Sequence, residues 1–144
     1  MSSATLPRLH HVALTVTDVD ASVPWYESVF GLSLKMDVPH DGGVGKLLAD
    51  DGMQLVIVLH RHEGNDLGQF GETVTGLDHV GLFVPTRADL EAWQQHLEAN
   101  GVVREAVAEK PLTQSPIADE SYGSVLVFRD PDNIQLELFC PPGA

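Results

Sequence analysis

The sequence predicts an α+β fold assembled from two βαβββ modules, and three observations carry that prediction. Leu9-His10-His11-Val12-Ala13-Leu14-Thr15-Val16 matches Leu77-Asp78-His79-Val80-Gly81-Leu82-Phe83-Val84 at a constant offset of 68, which also takes Trp25 onto Trp93. Gly52-Met53-Gln54-Leu55-Val56-Ile57 resembles Asn133-Ile134-Gln135-Leu136-Glu137-Leu138, each following an acidic turn, Asp50-Asp51 or Asp130-Pro131-Asp132. Between each opening and closing segment lies a helix-like stretch ended by glycine, so the chain reads as one unit written twice.

The elements follow in order. Residues 10–16 alternate apolar and polar side chains with β-branched enrichment, which predicts a strand buried on one face. Asp20 to Phe30 predicts a helix stopped at Gly31, because glycine enters the left-handed conformation of a helix end without a Cβ penalty. Strands are then expected near 33–38, 44–50 and 54–60. Arg61 to Gly76, rich in glycine and polar residues, reads as the linker between modules at about 9–62 and 77–140. The second module repeats the order, with a strand at 78–84, a helix from Arg87 to Asn100 ending at Gly101, and strands near 102–107, 124–129 and 134–139. Ala108 to Tyr122, with Pro111 and Pro116, reads as a long loop. Trp25, Tyr26 and Trp93 fall on the helices and are expected to pack against the sheets.

Composition narrows the function. A chain of 144 residues, 43% hydrophobic, can build a core without disulfides. Eight Lys and Arg against 21 Asp and Glu give a net charge of −13, which repels phosphate backbones and anionic lipid, so neither nucleic acid nor membrane is an expected partner. Cys140 is the single cysteine, and the N-terminus lacks an apolar targeting run, so the cytoplasm is the expected compartment.

The duplicated His-Val-x-Leu-x-Val strands, the Ser22-Val23-Pro24-Trp25-Tyr26 segment leading to Phe30-Gly31-Leu32, and Phe128-Arg129-Asp130-Pro131-Asp132-Asn133-Ile134-Gln135-Leu136-Glu137 resemble the vicinal oxygen chelate superfamily. Its members include glyoxalase I, fosfomycin resistance proteins, extradiol dioxygenases and bleomycin resistance proteins. The resemblance covers nearly the whole chain. It implies curled sheets enclosing a cleft, a divalent metal held by the first and last strands of the modules, and pairing as a homodimer.

The residues supply a ligand set. Alternate side chains of a strand share a face, so matched positions of two pseudo-symmetric modules face one cleft if the modules pack about a two-fold axis. His11 and His79 are matched, and Glu137 comes from the closing strand. Two imidazoles and one carboxylate suit Fe2+, and equally Mn2+, Zn2+ or Ni2+. His10, next to His11, is expected to point the other way. The counterpart of Glu137 is expected at Val56, or at Val58 after a slip of two residues. Both are aliphatic, which departs from the carboxylate that glyoxalase I carries in its first module. Positions sharing parity with the ligands, Thr15, Gln54, Val58, Phe83, Gln135 and Phe139, are expected to line the cleft, with His60 and Tyr122 as candidates to support the ligands from behind.

The resemblance thus implies a metal-dependent dioxygenase, lyase or isomerase acting on a small molecule that chelates the ion through adjacent oxygens. The extradiol pattern lacks its usual histidine and tyrosine before the closing strand, and no cluster of basic residues matches a phosphonate site. The competing expectation is a metal-free, antibiotic-sequestering protein resembling bleomycin resistance proteins, which needs no such triad.

Overall fold

The structure is a computed structural model, and it describes residues 3–104 and 114–143. Its contacts divide the chain into Met1–Asn65 and Asp66–Ala144. The first unit runs β1 (Val12–Thr15), α1 (Val19–Phe30), β2 (Ser33–His40), β3 (Gly43–Ala49) and β4 (Val56–His62), with sheet order β1-β4-β3-β2. The opening strand lies parallel to the closing one, and the other pairs are antiparallel. Strand parity decides which face is covered: Leu14, Val16, Ile57, Leu59 and Leu48 are buried, and α1 packs on β3 and β4, while Ala13 and Thr15 on the opposite face are exposed. Helix α1 starts where the Asp18 carboxylate accepts from the Asp20 and Ala21 amides, and it ends at Gly31 with φ 69°.

The second unit repeats this plan with β5 (Val80–Phe83), α2 (Arg87–Ala99), β6 (Ala118–Glu120), β7 (Gly123–Arg129) and β8 (Gln135–Cys140), in sheet order β5-β8-β7-β6. Helix α2 opens with a capping box: the Asp89 amide donates to Thr86 Oγ1, and the Thr86 amide donates to the Asp89 carboxylate. Leu90, Leu97, Leu126, Phe128, Leu136 and Leu138 form the buried face. Tyr26 is fully buried as expected, whereas Trp25 and Trp93 are only half-buried.

The α+β fold and its βαβββ repeat agree with the sequence, and four expectations are corrected. The strand expected at 102–107 is not formed at Val102 and Val103, and β7 takes β6 at 118–120 as its partner. Val102 is instead buried in the core, Arg104 makes an isolated bridge to Gln114, and residues 105–113 lie outside those described. Apolar pairs such as Val102-Val103 fit a strand or a buried connection equally, and here a hairpin turn at Ser121-Tyr122 gives β7 its partner. Within the expected loop, Ala118 to Glu120 is therefore strand. Arg61 and His62, assigned to the linker, belong to β4, and Gln54, assigned to a strand, lies in the turn before it.

The fourth correction concerns the partner of Glu137. Val12 pairs with Ile57 and Ala13 with Val58, as Val80 pairs with Leu136 and Gly81 with Glu137. Val58, not Val56, is therefore the counterpart. One residue of that slip comes from aligning Asp51 rather than Asp50 with the Asp130-Pro131-Asp132 turn, and the other from turn length: the Leu55 amide reaches back to Asp50 Oδ1 across five residues, the Ile134 amide to Asp130 Oδ1 across four. Each turn needs one residue in the left-handed region, Met53 at φ 55° and Asn133 at φ 65°.

Candidate metal centre

The second unit brings two of the expected ligands, His79 and Glu137, together through one register match. His79 immediately precedes β5, and Glu137 on β8 pairs across to Gly81. His79 Nε2 lies 3.8 Å from Glu137 Oε2, with the side chains 37% and 21% exposed. Two donors on one ion with bonds of about 2.0–2.2 Å lie about 3.0–3.6 Å apart, so a small rotation brings both onto a cation.

Behind this pair runs a hydrogen-bonded chain. His79 Nδ1 donates to Asp78 Oδ1 at 2.7 Å, which fixes the proton on Nδ1 and leaves the Nε2 lone pair facing Glu137. Gln135 Nε2 donates to the same Asp78 oxygen at 3.4 Å, and Arg129 Nη2 donates to Gln135 Oε1 at 2.8 Å. Arg129 is held in turn by both oxygens of Glu72, at 2.9 Å each, and this guanidinium lowers the Glu72 carboxyl to about 2. Asp78, which holds the His79 ring, is not among the residues expected in the site from the sequence. Its signal was present, since a carboxylate directly before a candidate histidine ligand suits orientation of that ring.

The first unit carries the matched histidine. His11 immediately precedes β1, and its Nδ1 lies 2.9 Å from Nδ1 of His10, the position equivalent to Asp78. His10 therefore does not turn away from His11 as expected, because residues ahead of the strand escape strict strand alternation. Ala13 and Thr15 share a sheet face with Val58 and His60 through their pairings. His60 is not isolated: His40, His60 and His62 each offer a ring nitrogen, all within 4.8 Å of one another. Burial, the first cause, and the charges of His40, His62 and His11 push the His60 imidazole below its ordinary pKa. In the sequence His60 stands alone as a candidate, because His40 joins it only through the pairing of β2, β3 and β4.

Of the remaining expected residues, Phe83 is 69% exposed on the same parity as His79, and the Phe139 ring lies over Gly123. Gln54 is exposed in its turn and Val58 is buried. Tyr122 sits in the β6–β7 turn and is 62% exposed, and the strand position that faces Glu137 is Val127. Among the described residues Lys35, Lys46, Arg87, Arg104 and Arg129 each face a carboxylate, so these cations are already neutralised. No helix is long and apolar enough to cross a membrane among the described residues.

Comparison with known proteins adds the family context. The profile described as Glyoxalase/Bleomycin resistance protein/Dioxygenase superfamily matches residues 8–138. The chain is similar to the crystal structure of a glyoxylase/bleomycin resistance protein/dioxygenase domain from Frankia sp. EAN1pec, with 30% identity, TM-score 0.81, and coverage of 97% of this chain and 96% of that one. It is 28% identical over 137 residues to the uncharacterized protein YaeR of Escherichia coli (strain K12), covering 93% of this chain and 96% of that protein. At the level of fold alone it resembles a fosfomycin resistance protein variant, FosX from Listeria monocytogenes, complexed with Mn(II) and 1S,2S-dihydroxypropylphosphonic acid. That likeness has 16% identity and a TM-score of 0.62 over 94% of this chain and 93% of that one.

Proposed function

Because the chain belongs to the Glyoxalase/Bleomycin resistance protein/Dioxygenase superfamily, we propose that it is a metal-dependent enzyme of the vicinal oxygen chelate type, with His11, His79 and Glu137 as metal ligands and a small substrate bearing adjacent oxygens. The observation that carries this reading is the Asp78-His79-Glu137 arrangement, in which a carboxylate orients the ring and the free nitrogen meets a second carboxylate. A protein that only sequesters an apolar drug has no need of a ring held this way. The donor set fits Fe2+, Mn2+, Zn2+ or Ni2+, and the Mn(II) held by FosX belongs to the same fold.

A bound divalent ion supplies Lewis-acid stabilisation to negative charge that develops on substrate oxygens. The chain's own residues do the positioning. Asp78 keeps the His79 proton on Nδ1, and the Gln135–Arg129–Glu72 chain holds Asp78 against rotation. Val58, standing where Glu137 stands in the other unit, neither ligates nor accepts a proton, so a reaction needing a second carboxylate there, as in glyoxalase I, is disfavoured. The pairing of Arg129 and the other cations with carboxylates favours an uncharged, oxygen-rich substrate over a phosphonate.

The test is elemental analysis of protein purified anaerobically without chelator, beside His11→Ala, His79→Ala and Glu137→Gln. Each substitution is expected to remove the same equivalent of metal. Retention of that equivalent in all three variants overturns the assignment and directs screening to bound antibiotics.

A further inference from the structure

We propose that His40, His60 and His62 form a second metal site, built wholly from β2 and β4, that takes a late first-row divalent cation of the Zn2+ class and leaves a coordination position to water. The register creates it. His40 pairs with Gly43 and Gly43 with His62, while Gly45 pairs with His60, so three imidazoles from two strands converge over a central strand that has no side chain at either place. A Cβ on Gly43 would overlap the Arg61 backbone carbonyl first and the His40 ring beside it, and one on Gly45 would sit 2.7 Å from His60 Cε1. Gly43 is thus required by the strand backbone itself, and Gly45 leaves the space that the His60 ring occupies.

The nitrogens are prepared for a cation. His40 Nδ1 donates to the Asp41 carbonyl at 3.1 Å, an acceptor that places the ring proton on Nδ1, so the Nε2 lone pair accepts from His60 Nδ1 in the metal-free protein and a cation would take the place of that proton. His40 Nε2 lies 3.2 Å from His60 Nδ1, against about 3.3 Å for two nitrogens bound at about 2.0 Å to one tetrahedral ion. The His62 ring is stacked on that of His60 with centroids 5.9 Å apart, and its nitrogen completes the group within 4.8 Å. Three neutral imidazoles with no carboxylate select Zn2+, Ni2+ or Cu2+ over Mg2+ or Ca2+. A net charge of −13 raises the local concentration of divalent cations. None of its ligands belongs to the set proposed above, and His11 of that set lies near enough for its charge to act on His60.

The experiment titrates metal-free protein with Co2+, read by visible absorption, and confirms each result by Zn2+ displacement. Wild type is expected to take up two equivalents, the His79→Ala/Glu137→Gln variant one, and that variant with His62→Gln added none. His62 is exposed, so its replacement leaves the core untouched, and circular dichroism of each variant checks the fold. His60→Gln provides a second route to the same loss. Co2+ uptake by the His79→Ala/Glu137→Gln variant that survives both His62→Gln and His60→Gln overturns the inference, as does no uptake by that variant. A single wild-type equivalent lost with His62→Gln but not with His79→Ala/Glu137→Gln supports the inference while overturning the proposed function.

Discussion

Asp78 and His79, adjacent in sequence, are joined side chain to side chain at 2.7 Å, and this contact turns the other face of the imidazole toward Glu137, which comes from the far end of the chain. Neighbouring residues in a strand would point apart. They meet here because both precede β5, where pairing has not yet imposed alternation.

The first prediction concerns this contact. Asp78→Asn keeps the shape and loses the charge that fixes the tautomer, so metal affinity at the His79 centre is expected to fall by about 10- to 100-fold with the fold unchanged. Competition against a chromogenic chelator measures it. Wild-type affinity in the variant would show that Asp78 does not orient the ring.

The counterpart relation gives the second. Val58→Glu sets a carboxylate opposite Ala13 as Glu137 stands opposite Gly81, and the variant is expected to add a fourth ligand to the ion that His11 holds and to tighten its binding. Its thermal unfolding temperature, lowered in the absence of metal by a buried carboxylate, should rise on adding Zn2+ by more than that of wild type. An equal rise in both proteins would remove Val58 from the equivalent position.

Acid stability supplies the third. The Glu72 carboxyl is lowered from 4.5 to about 2 by its hydrogen bond to Arg129, so it contributes stability that is fully present above its unfolded value and is lost as pH falls through the folded one. Glu72→Gln is therefore expected to melt below wild type at neutral pH, with the difference closing between about pH 4.5 and 2. Melting curves across that range decide it, and a gap independent of pH would mean the ion pair contributes nothing.

The fourth separates scaffold from site. Leu138 is buried on the face of β8 opposite Glu137, so Leu138→Ala is expected to cost about 2–5 kcal/mol in denaturant unfolding by leaving a cavity. The refolded variant should still bind metal at wild-type stoichiometry. Loss of the ion at full secondary structure would place Leu138 in the site's own support.

The sequence by itself determined the repeat, the fold class, both helices and the matched pair His11 and His79, because these rest on local signals: period-2 burial, capping residues, a helix-ending glycine and one constant offset. It also held Glu137, since the closing strand repeats. Tertiary structure decided the rest. The turn after Asp50 spans one residue more than that after Asp130, and only inter-strand hydrogen bonds reveal that Val58 is the true counterpart of Glu137. His40 and His62 carry no local mark of partnership, and residues 20 apart become neighbours only when β2, β3 and β4 fix their register. The physical reason is the same in both cases: local propensity is written in consecutive residues, whereas strand register is a collective choice of backbone hydrogen bonds and buried faces, and it is register that sets which distant side chains meet.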